Sequence, residues 1–271
     1  SADLGPADFL EFYLADPATK VIGLYLEDVK DGRRFFELLR ARGTEKPVVI
    51  LRGGRSAQGR DAAASHTGAM AGDNRAWECL ARQAPCAMVS TVDEMIDALL
   101  AFQHLALKPQ RPTSRVVLFG NGGGTSVLAT DTFADCDLDV ARFDAATLER
   151  LEAMKLPPGT SVTNPIDAPV ATLQEQGGLV APRILDIVYD SAPDALVMHL
   201  NLAAFVGRGD SDPVDNLMQG AIRAREARKD GPHFLLALRV DGSPELEERR
   251  RHYREVALAA GIPVYDELDP A

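Results

Sequence analysis

The stretch VVLFGNGGGTSVLATD, residues 116–131, contains an apolar run, a glycine-rich turn and the start of a helix. A continuous apolar run such as VVLF is typical of a strand that is covered on both faces of a parallel sheet. A helix is predicted from about Thr125. Strand, glycine turn and helix in this order predict an α/β domain.

The glycine-rich turn is also the first candidate site. Backbone amides at the N-terminus of a helix attract anions, so the turn predicts a site for phosphate or for a phosphorylated side chain. It lacks the Lys-Ser/Thr ending of a P-loop and matches a dinucleotide fingerprint poorly. The alternative is a tight turn that binds no ligand. The candidate phosphate-binding residues here are Asn121, Gly122, Gly123, Gly124 and Thr125.

Outward from this stretch, apolar runs alternate with helical patterns along the whole chain, which predicts parallel sheets with crossover helices. The segment 108–115 has two prolines and no periodicity, so it predicts a linker between two doubly wound α/β domains. Predicted strands are 21–26, 47–51, CAMVS (86–90), 116–119, 195–200, 233–238 and 263–265; predicted helices follow Pro6 and lie near 31–42, 74–82, 91–105, 144–154, 179–190, 213–228 and 244–259.

Composition excludes several classes of protein. The 271 residues are 46% hydrophobic and carry a net charge of -11, which predicts a folded chain that does not bind nucleic acid. No apolar run reaches the length of a membrane helix and no signal peptide opens the chain. The three cysteines lack a CxxC spacing and are predicted to be buried thiols, with no metal bound on this chain. A cytoplasmic protein is expected.

The segment from Leu51 to Gly72 is the second candidate site. It follows a strand, it is rich in glycine, alanine and serine, and it is predicted to form a loop. His66 lies within it, and Arg52, Arg55 and Arg60 could meet phosphate charge. One interpretation is a nucleophilic or acid–base histidine on a mobile loop; the other is an ordinary surface histidine.

Two further segments have weaker signals. Glu27 follows the strand VIGLYL, and the carboxyl ends of parallel strands face the ligand crevice. A carboxylate there could accept the N–H of a histidine and fix its tautomer; a solvated acid is the alternative. The segment SVTNPIDAP, residues 161–169, predicts an ordered loop. The remaining histidines, His199 within an apolar strand among them, are interpreted as structural.

Taken in order, YLEDVKDGRRFFE, GGRSAQGRDAAASHTGAMAG, GNGGGTSVLATD and NPIDA resemble the NDP-forming acyl-CoA synthetases of the succinyl-CoA synthetase superfamily, and most of all the ADP-forming acetyl-CoA synthetases. SHTGAMAG is the most specific segment. The resemblance covers nearly the whole chain. It implies two consecutive flavodoxin-like domains, a phosphohistidine-bearing one over 1–108 and a ligase domain over 112–271.

The resemblance also implies roles for particular residues. His66 would be the phosphorylated histidine and Glu27 would orient its ring. Ser65 and Thr67 beside the histidine would contact phosphate, together with the turn at 121–125. Asn164 and Asp167 match a loop near the site. The reaction implied is the reversible conversion of acyl-CoA, phosphate and ADP into acid, CoA and ATP.

Cofactors and partners follow from the same resemblance. The complete enzyme would use CoA and ATP or ADP with Mg²⁺, and this chain alone would hold at most phosphate or sulfate. The CoA-binding and ATP-grasp domains are missing from this sequence, so a piece of a longer polypeptide, inactive by itself, is expected. A homodimer is possible. The alternative function is a non-catalytic acyl-CoA or metabolite sensor on the same scaffold, as in a fusion to a protein acetyltransferase; a flavodoxin-like nucleotide or flavin binder is a third.

Overall fold

The computed structural model describes residues 3–67, 74–108, 110–205, 213–228 and 230–268; the side chains of His66, Thr67 and Pro213 are outside this description. The chain divides into two compact units, residues 1–109 and 110–271. Parallel strands and helices alternate in both units, which confirms the α/β fold class.

The first unit contains a three-stranded parallel sheet in the order β1-β2-β3. Its described strands follow chain order, with no reversal. The core is formed by alternate residues of β1, by β2, which is buried throughout, and by apolar faces of α1, α2 and α4. The elements are α1 (Pro6–Ala15), β1 (Ile22–Leu26), α2 (Gly32–Arg42), β2 (Val48–Arg52), α3 (Ala57–Thr67), α4 (Asn74–Gln83), β3 (Ala87–Val89) and α5 (Val92–His104).

The second unit contains a five-stranded parallel sheet in the order β5-β4-β6-β7-β8. The chain leaves β4 for β5 on one side and later returns to β6 on the other side, so this sheet is doubly wound. The elements are β4 (Val116–Gly120), α6 (Gly123–Asp135), α7 (Ala145–Glu152), β5 (Ile166–Asp167), α8 (Val170–Gln174), α9 (Val180–Asp190), β6 (Ala195–Asn201), α10 (Pro213–Glu226), β7 (His233–Arg239), α11 (Pro244–Ala259) and β8 (Val264–Tyr265).

The strands of the second unit are the apolar runs of the sequence because β4, β6 and β7 lie inside the sheet and are buried on both faces. Helix starts follow ordinary capping chemistry. The Asp144 carboxylate accepts the amide of Thr147 at 2.7 Å, and the Thr91 hydroxyl accepts that of Glu94 at 3.1 Å in the first unit.

Helix α3 corrects the prediction of a loop between Leu51 and Gly72. Residues 57–67 are helical, and Ser56 caps the helix by accepting the amide of Gly59 at 3.0 Å. A run of three alanines favours the helix, and this preference outweighs the cost of one glycine, about 1 kcal/mol. The small residues of this segment led to the prediction of a loop, but the high helix propensity of its alanines favours a helix.

Two smaller differences complete the comparison. Within 161–169 the sequence predicted only a loop, whereas the structure has a cis peptide bond between Asn164 and Pro165 followed by β5. Cys79 and Cys136 are exposed and only Cys86 is half-buried, so the prediction of three buried thiols is wrong. Within the described ranges, no helix is both long and apolar enough to cross a bilayer.

Candidate functional site

The glycine turn of the second unit lies where β4 ends, at the point where the sheet reverses its strand order. Ligands of doubly wound sheets bind at this position. Gly122 is the N-cap of α6 and has a φ of 128°, a conformation that residues with a side chain rarely adopt. Helix α6 therefore begins at Gly123, two residues earlier than predicted.

The first turn of α6 leaves amides available to an anion. A helix has four N-terminal amides without an intrahelical partner, here those of residues 122–125. The amide of Gly122 is bonded to a side chain, as described below. Among the described residues, no hydrogen bond is made to the other three amides, and Gly122, Gly123 and Gly124 are exposed.

Asp167 reaches this turn from the neighbouring strand β5. The amide of Gly122 donates to Asp167 Oδ1 at 2.9 Å. A Cβ at Gly123 would lie 2.9 Å from Asp167 Oδ2, so the second carboxylate oxygen occupies the space that a side chain would fill. The structure thus brings together Asp167 and the glycine turn, which the sequence had placed 45 residues apart.

Asn121 connects the turn to β6 across the reversal point. The amide of Asn201 donates to Asn121 Oδ1 at 2.9 Å, and Asn121 itself is buried. Sequence reasoning missed Asn201. The signal that could have found it is its position directly after the apolar run 195–200, since polar residues at strand ends gather at one edge of a parallel sheet.

His199 lies beneath the turn. Its Nε2 is 3.1 Å from the hydroxyl oxygen of Ser126 in the first turn of α6, and both side chains are buried. Burial lowers the pKa of His199 from 6.5 to about 4, opposed by the negative charge of Asp167. His199 is therefore neutral at pH 7 and anchors α6 to the sheet, in agreement with its interpretation as structural.

Asn164 has a different position from Asp167, although both belong to the same segment. It is buried and bonds backbone atoms well before the end of β4. The Asn164 Oδ1 accepts the amide of Leu118 at 3.0 Å, while Nδ2 donates to the carbonyls of Val116 at 2.8 Å and Ala141 at 2.9 Å. Two of these three bonds hold the segment of Asn164 against β4, and the third connects it to Ala141.

In the first unit, Glu27 directly follows β1 and its carboxylate is held by a neighbour. The Tyr25 hydroxyl donates to Glu27 Oε1 at 3.1 Å. This bond, with a smaller contribution from burial, raises the pKa of Tyr25. Both side chains approach Gly53, whose Cβ would lie 2.6 Å from the Tyr25 oxygen. Glu27 thus stands at the carboxyl edge of the sheet, as the sequence predicts.

His66 and its neighbours lie in the last turn of α3. The backbone places His66 nine residues after the start of the helix, or about 13 Å along its axis. Its imidazole and the Thr67 side chain lie outside the described residues, and so does the expected contact between Glu27 and His66. The Ser65 hydroxyl is exposed and donates to the carbonyl of Ala62 at 2.8 Å.

The arginines of this segment are engaged within the first unit. Arg52 is buried; its Nη2 donates to Asn74 Oδ1 at 2.8 Å and its guanidinium lies 5.3 Å from the Trp77 ring centre. Arg55 donates to the Ser90 hydroxyl at 2.7 Å. Arg60 donates to the carbonyl of Arg55 at 3.2 Å. Arg52 thus connects β2 to α4, and Arg55 and Arg60 make contacts near the start of α3.

The described residues include no group of three or more His, Cys, Asp or Glu side chains that could hold a metal ion. An ion such as Mg²⁺ would need other oxygen ligands, for example those of a bound phosphate.

Comparison with known proteins gives a consistent result. The succinyl-CoA ligase-like flavodoxin domain family matches residues 1–102. The chain is 30% identical, over 98% of its length, to the alpha subunit of an ADP-forming acetate–CoA ligase of Pyrococcus furiosus, of which it covers 54%. It is 31% identical, again over 98% of its length, to a trans-feruloyl-CoA synthase from an unknown prokaryotic organism, of which it covers 38%.

A solved structure has the same fold. Acetyl-coenzyme A synthetase 1 of Ca. Korarchaeum cryptofilum, in complex with phosphate and ADP, superposes with a TM-score of 0.78 at 26% identity, covering 99% of this chain and 54% of that one. Parallel α/β units of this kind define the succinyl-CoA ligase-like class. Over nearly its whole length the chain is similar to ADP-forming acyl-CoA synthetases, and its first 102 residues match the succinyl-CoA ligase-like domain. It spans about half the length of the first relative.

Proposed function

We propose that this chain is the part of an ADP-forming acyl-CoA synthetase that accepts a phosphoryl group on His66 in its first unit and that has a phosphate-binding turn at the start of α6 in its second unit. The observation that carries the proposal is the open turn at 122–125. Three helix amides there have no partner among the described residues, at the carboxyl edge of a doubly wound sheet. The relatives named above support the same reaction class.

The complete enzyme uses CoA and ADP with Mg²⁺. It contains two further domains that bind them, a CoA-binding domain and an ATP-grasp domain. Phosphate displaces CoA from the acyl group and forms an acyl phosphate. The lone pair of the His66 imidazole then attacks phosphorus, and the carboxylic acid leaves as carboxylate with the electron pair of the broken P–O bond. Transfer of the phosphoryl group from nitrogen to ADP restores neutral His66 and forms ATP.

Glu27 and the amides at the start of α6 have different roles in this proposal. Glu27 accepts the N–H of His66, which leaves the other ring nitrogen free to attack and stabilises the positive charge that develops on the ring. The amides of residues 123–125 stabilise the oxygens of a bound phosphate, and the dipole of α6 adds to that attraction. Ser65 and Thr67 contribute hydroxyl groups beside the histidine.

The proposal is tested by phosphorylation of His66. The chain, together with its ATP-grasp partner domain, is incubated with ATP and Mg²⁺, and peptides are mapped at neutral pH for an acid-labile phosphoryl group. We expect the adduct on His66, its loss on adding ADP, and no adduct in His66→Asn. His252→Asn, which removes an exposed histidine on α11, is the matched control.

No adduct on His66, with acyl-CoA still bound by the protein, would contradict the proposal and favour the non-catalytic sensor.

We also place the protein in the cytoplasm, where a reduced environment keeps thiols free, as the cysteines are here. A homodimer is part of the same proposal, and light scattering of the purified chain tests it.

A further inference from the structure

The carboxylate of Asp167 occupies the mouth of the glycine turn, although a site for a phosphoryl group would be expected to exclude negative charge. Its Oδ1 accepts the amide of Gly122 at 2.9 Å, and its Oδ2 fills the place of a Cβ at Gly123. The amide of Gly122 and the absence of a side chain at Gly123 therefore both accommodate the carboxylate of Asp167. A residue larger than glycine at 123 would force the carboxylate out.

The position of Asp167 is fixed by the sheet. Asp167 pairs with Gly120 in the parallel ladder between β4 and β5. Its backbone exchanges two hydrogen bonds with Ser161, of 2.8 and 3.2 Å, and the amide of Ala168 donates to the carbonyl of Gly120 at 2.9 Å. The carboxylate thus approaches the turn from a neighbouring strand whose backbone is hydrogen-bonded on both sides.

The bond to Gly122 has the form of a cap supplied from another strand. In a capping box, a carboxylate three residues into the helix bonds the amide of the N-cap residue. Helix α6 has Gly122 as its N-cap and no side-chain cap of its own, so Asp167 takes this role. One of the four N-terminal amides is used in this way, and the other three have no hydrogen bond to any described residue.

We infer, on the basis of the proposed function, that Asp167 is a positioning residue that holds the turn at 122–125 open to phosphate while its charge limits how tightly phosphate is retained. A phosphoryl group in a relay must be bound and then released. A fixed negative charge beside the amides weakens the bound state through repulsion, which depends on salt because Asp167 is only half-buried.

Two substitutions separate the two parts of this inference. Asp167→Asn keeps an oxygen acceptor for the amide of Gly122 and removes the charge. Asp167→Ala removes both. Asp131→Asn is the matched control, because Asp131 is an exposed acid on the same helix, eight residues after Gly123.

The first measurement is the dissociation constant of the 271-residue chain for inorganic phosphate, by calorimetric titration at low and at high salt. We expect Asp167→Asn to bind about 3- to 10-fold more tightly than the wild type at low salt, with a smaller difference at high salt. Asp167→Ala should bind at least threefold more weakly than Asp167→Asn, and Asp131→Asn should match the wild type.

The second measurement is amide hydrogen exchange of residues 120–126 without phosphate. We expect faster exchange in Asp167→Ala and wild-type exchange in Asp167→Asn. Equal exchange and equal affinity in the two variants would overturn the positioning role. Unchanged affinity in Asp167→Asn, with phosphate bound by the wild type, would overturn the charge effect. Absence of phosphate binding by the wild type would instead refute the proposed phosphate site, and the exchange result would still decide the positioning role.

Discussion

The imidazole of His199 and the hydroxyl of Ser126 form a buried pair, with 3.1 Å between Nε2 and Oγ, that joins the middle strand β6 to the first turn of α6. The ring lies directly beneath the glycine turn and also packs on Gly120. Because the N-cap and the first two residues of α6 are glycines, which have no side chains to pack, this pair supplies a side-chain contact that holds the N-terminus of α6 against the sheet.

The first prediction concerns pH and stability. Burial lowers the pKa of His199 from 6.5 to about 4. Between pH 6.5 and pH 4, His199 is therefore protonated in the unfolded chain but neutral in the folded chain. Stability is therefore expected to fall as the pH is lowered through this window, by about 3 kcal/mol at most. Urea unfolding of the wild type and of His199→Gln, at intervals from pH 7 to 4, measures the contribution.

His252→Asn serves as the control, since His252 is exposed. We expect His199→Gln to lose part of the dependence on pH and His252→Asn to retain all of it. Parallel pH profiles for the wild type and His199→Gln would show that His199 titrates normally in the folded protein.

The second prediction concerns Gly120. A Cβ there would lie 2.1 Å from the carbonyl oxygen of His199 and 2.5 Å from its ring, and the carbonyl cannot move without disturbing the sheet. Gly120→Ala is expected to lower the free energy of unfolding by about 2–3 kcal/mol. Gly124→Ala is the comparison, because a Cβ at Gly124 meets no atom within 4 Å. Thermal unfolding should show it as stable as the wild type or slightly more stable.

The third prediction separates structure from binding at Asn164. Asn164→Ala leaves the buried amide of Leu118 and the carbonyl of Val116 without their side-chain partner. We expect a loss of about 3 kcal/mol in unfolding experiments. The folded fraction should bind phosphate as the wild type does, because Asn164 bonds the middle of β4. Thr163→Ala, at an exposed neighbour, should change stability by less than about 0.5 kcal/mol. A selective loss of phosphate affinity in Asn164→Ala would instead place Asn164 in the binding site.

The fourth prediction concerns Glu27. If Glu27 orients His66, Glu27→Gln should slow phosphorylation of His66 by about 10- to 100-fold. Tyr25→Phe removes only the hydrogen bond to Glu27 and should slow it a few-fold at most. Rapid-quench measurement of the phosphorylated chain gives both rates. Equal rates in the wild type and Glu27→Gln would exclude an orienting role for this carboxylate.

The sequence predicted the strands well because most of them are apolar runs inside parallel sheets. It also placed Glu27 and the glycine turn at strand ends correctly. The prediction was wrong at α3. Glycine and serine near the start of the segment indicated a loop, whereas the structure has a capped helix that contains three alanines. The prediction failed partly at 161–169 because β5 has only two residues and no periodicity of its own.

The sequence by itself determined the α/β class; it also predicted a division of the chain near its Pro-containing linker and, through its motifs, the kind of protein to which the chain is similar. The tertiary structure alone decided which side chains surround the turn. Asp167 lies 45 residues from Gly122 and Asn201 lies 80 residues from Asn121, and these contacts exist because β5 and β6 flank β4 in the sheet. Local patterns of hydrophobicity specify which segments become strands, whereas strand order follows from how the helices and strands pack together, and strand order decides which residues meet.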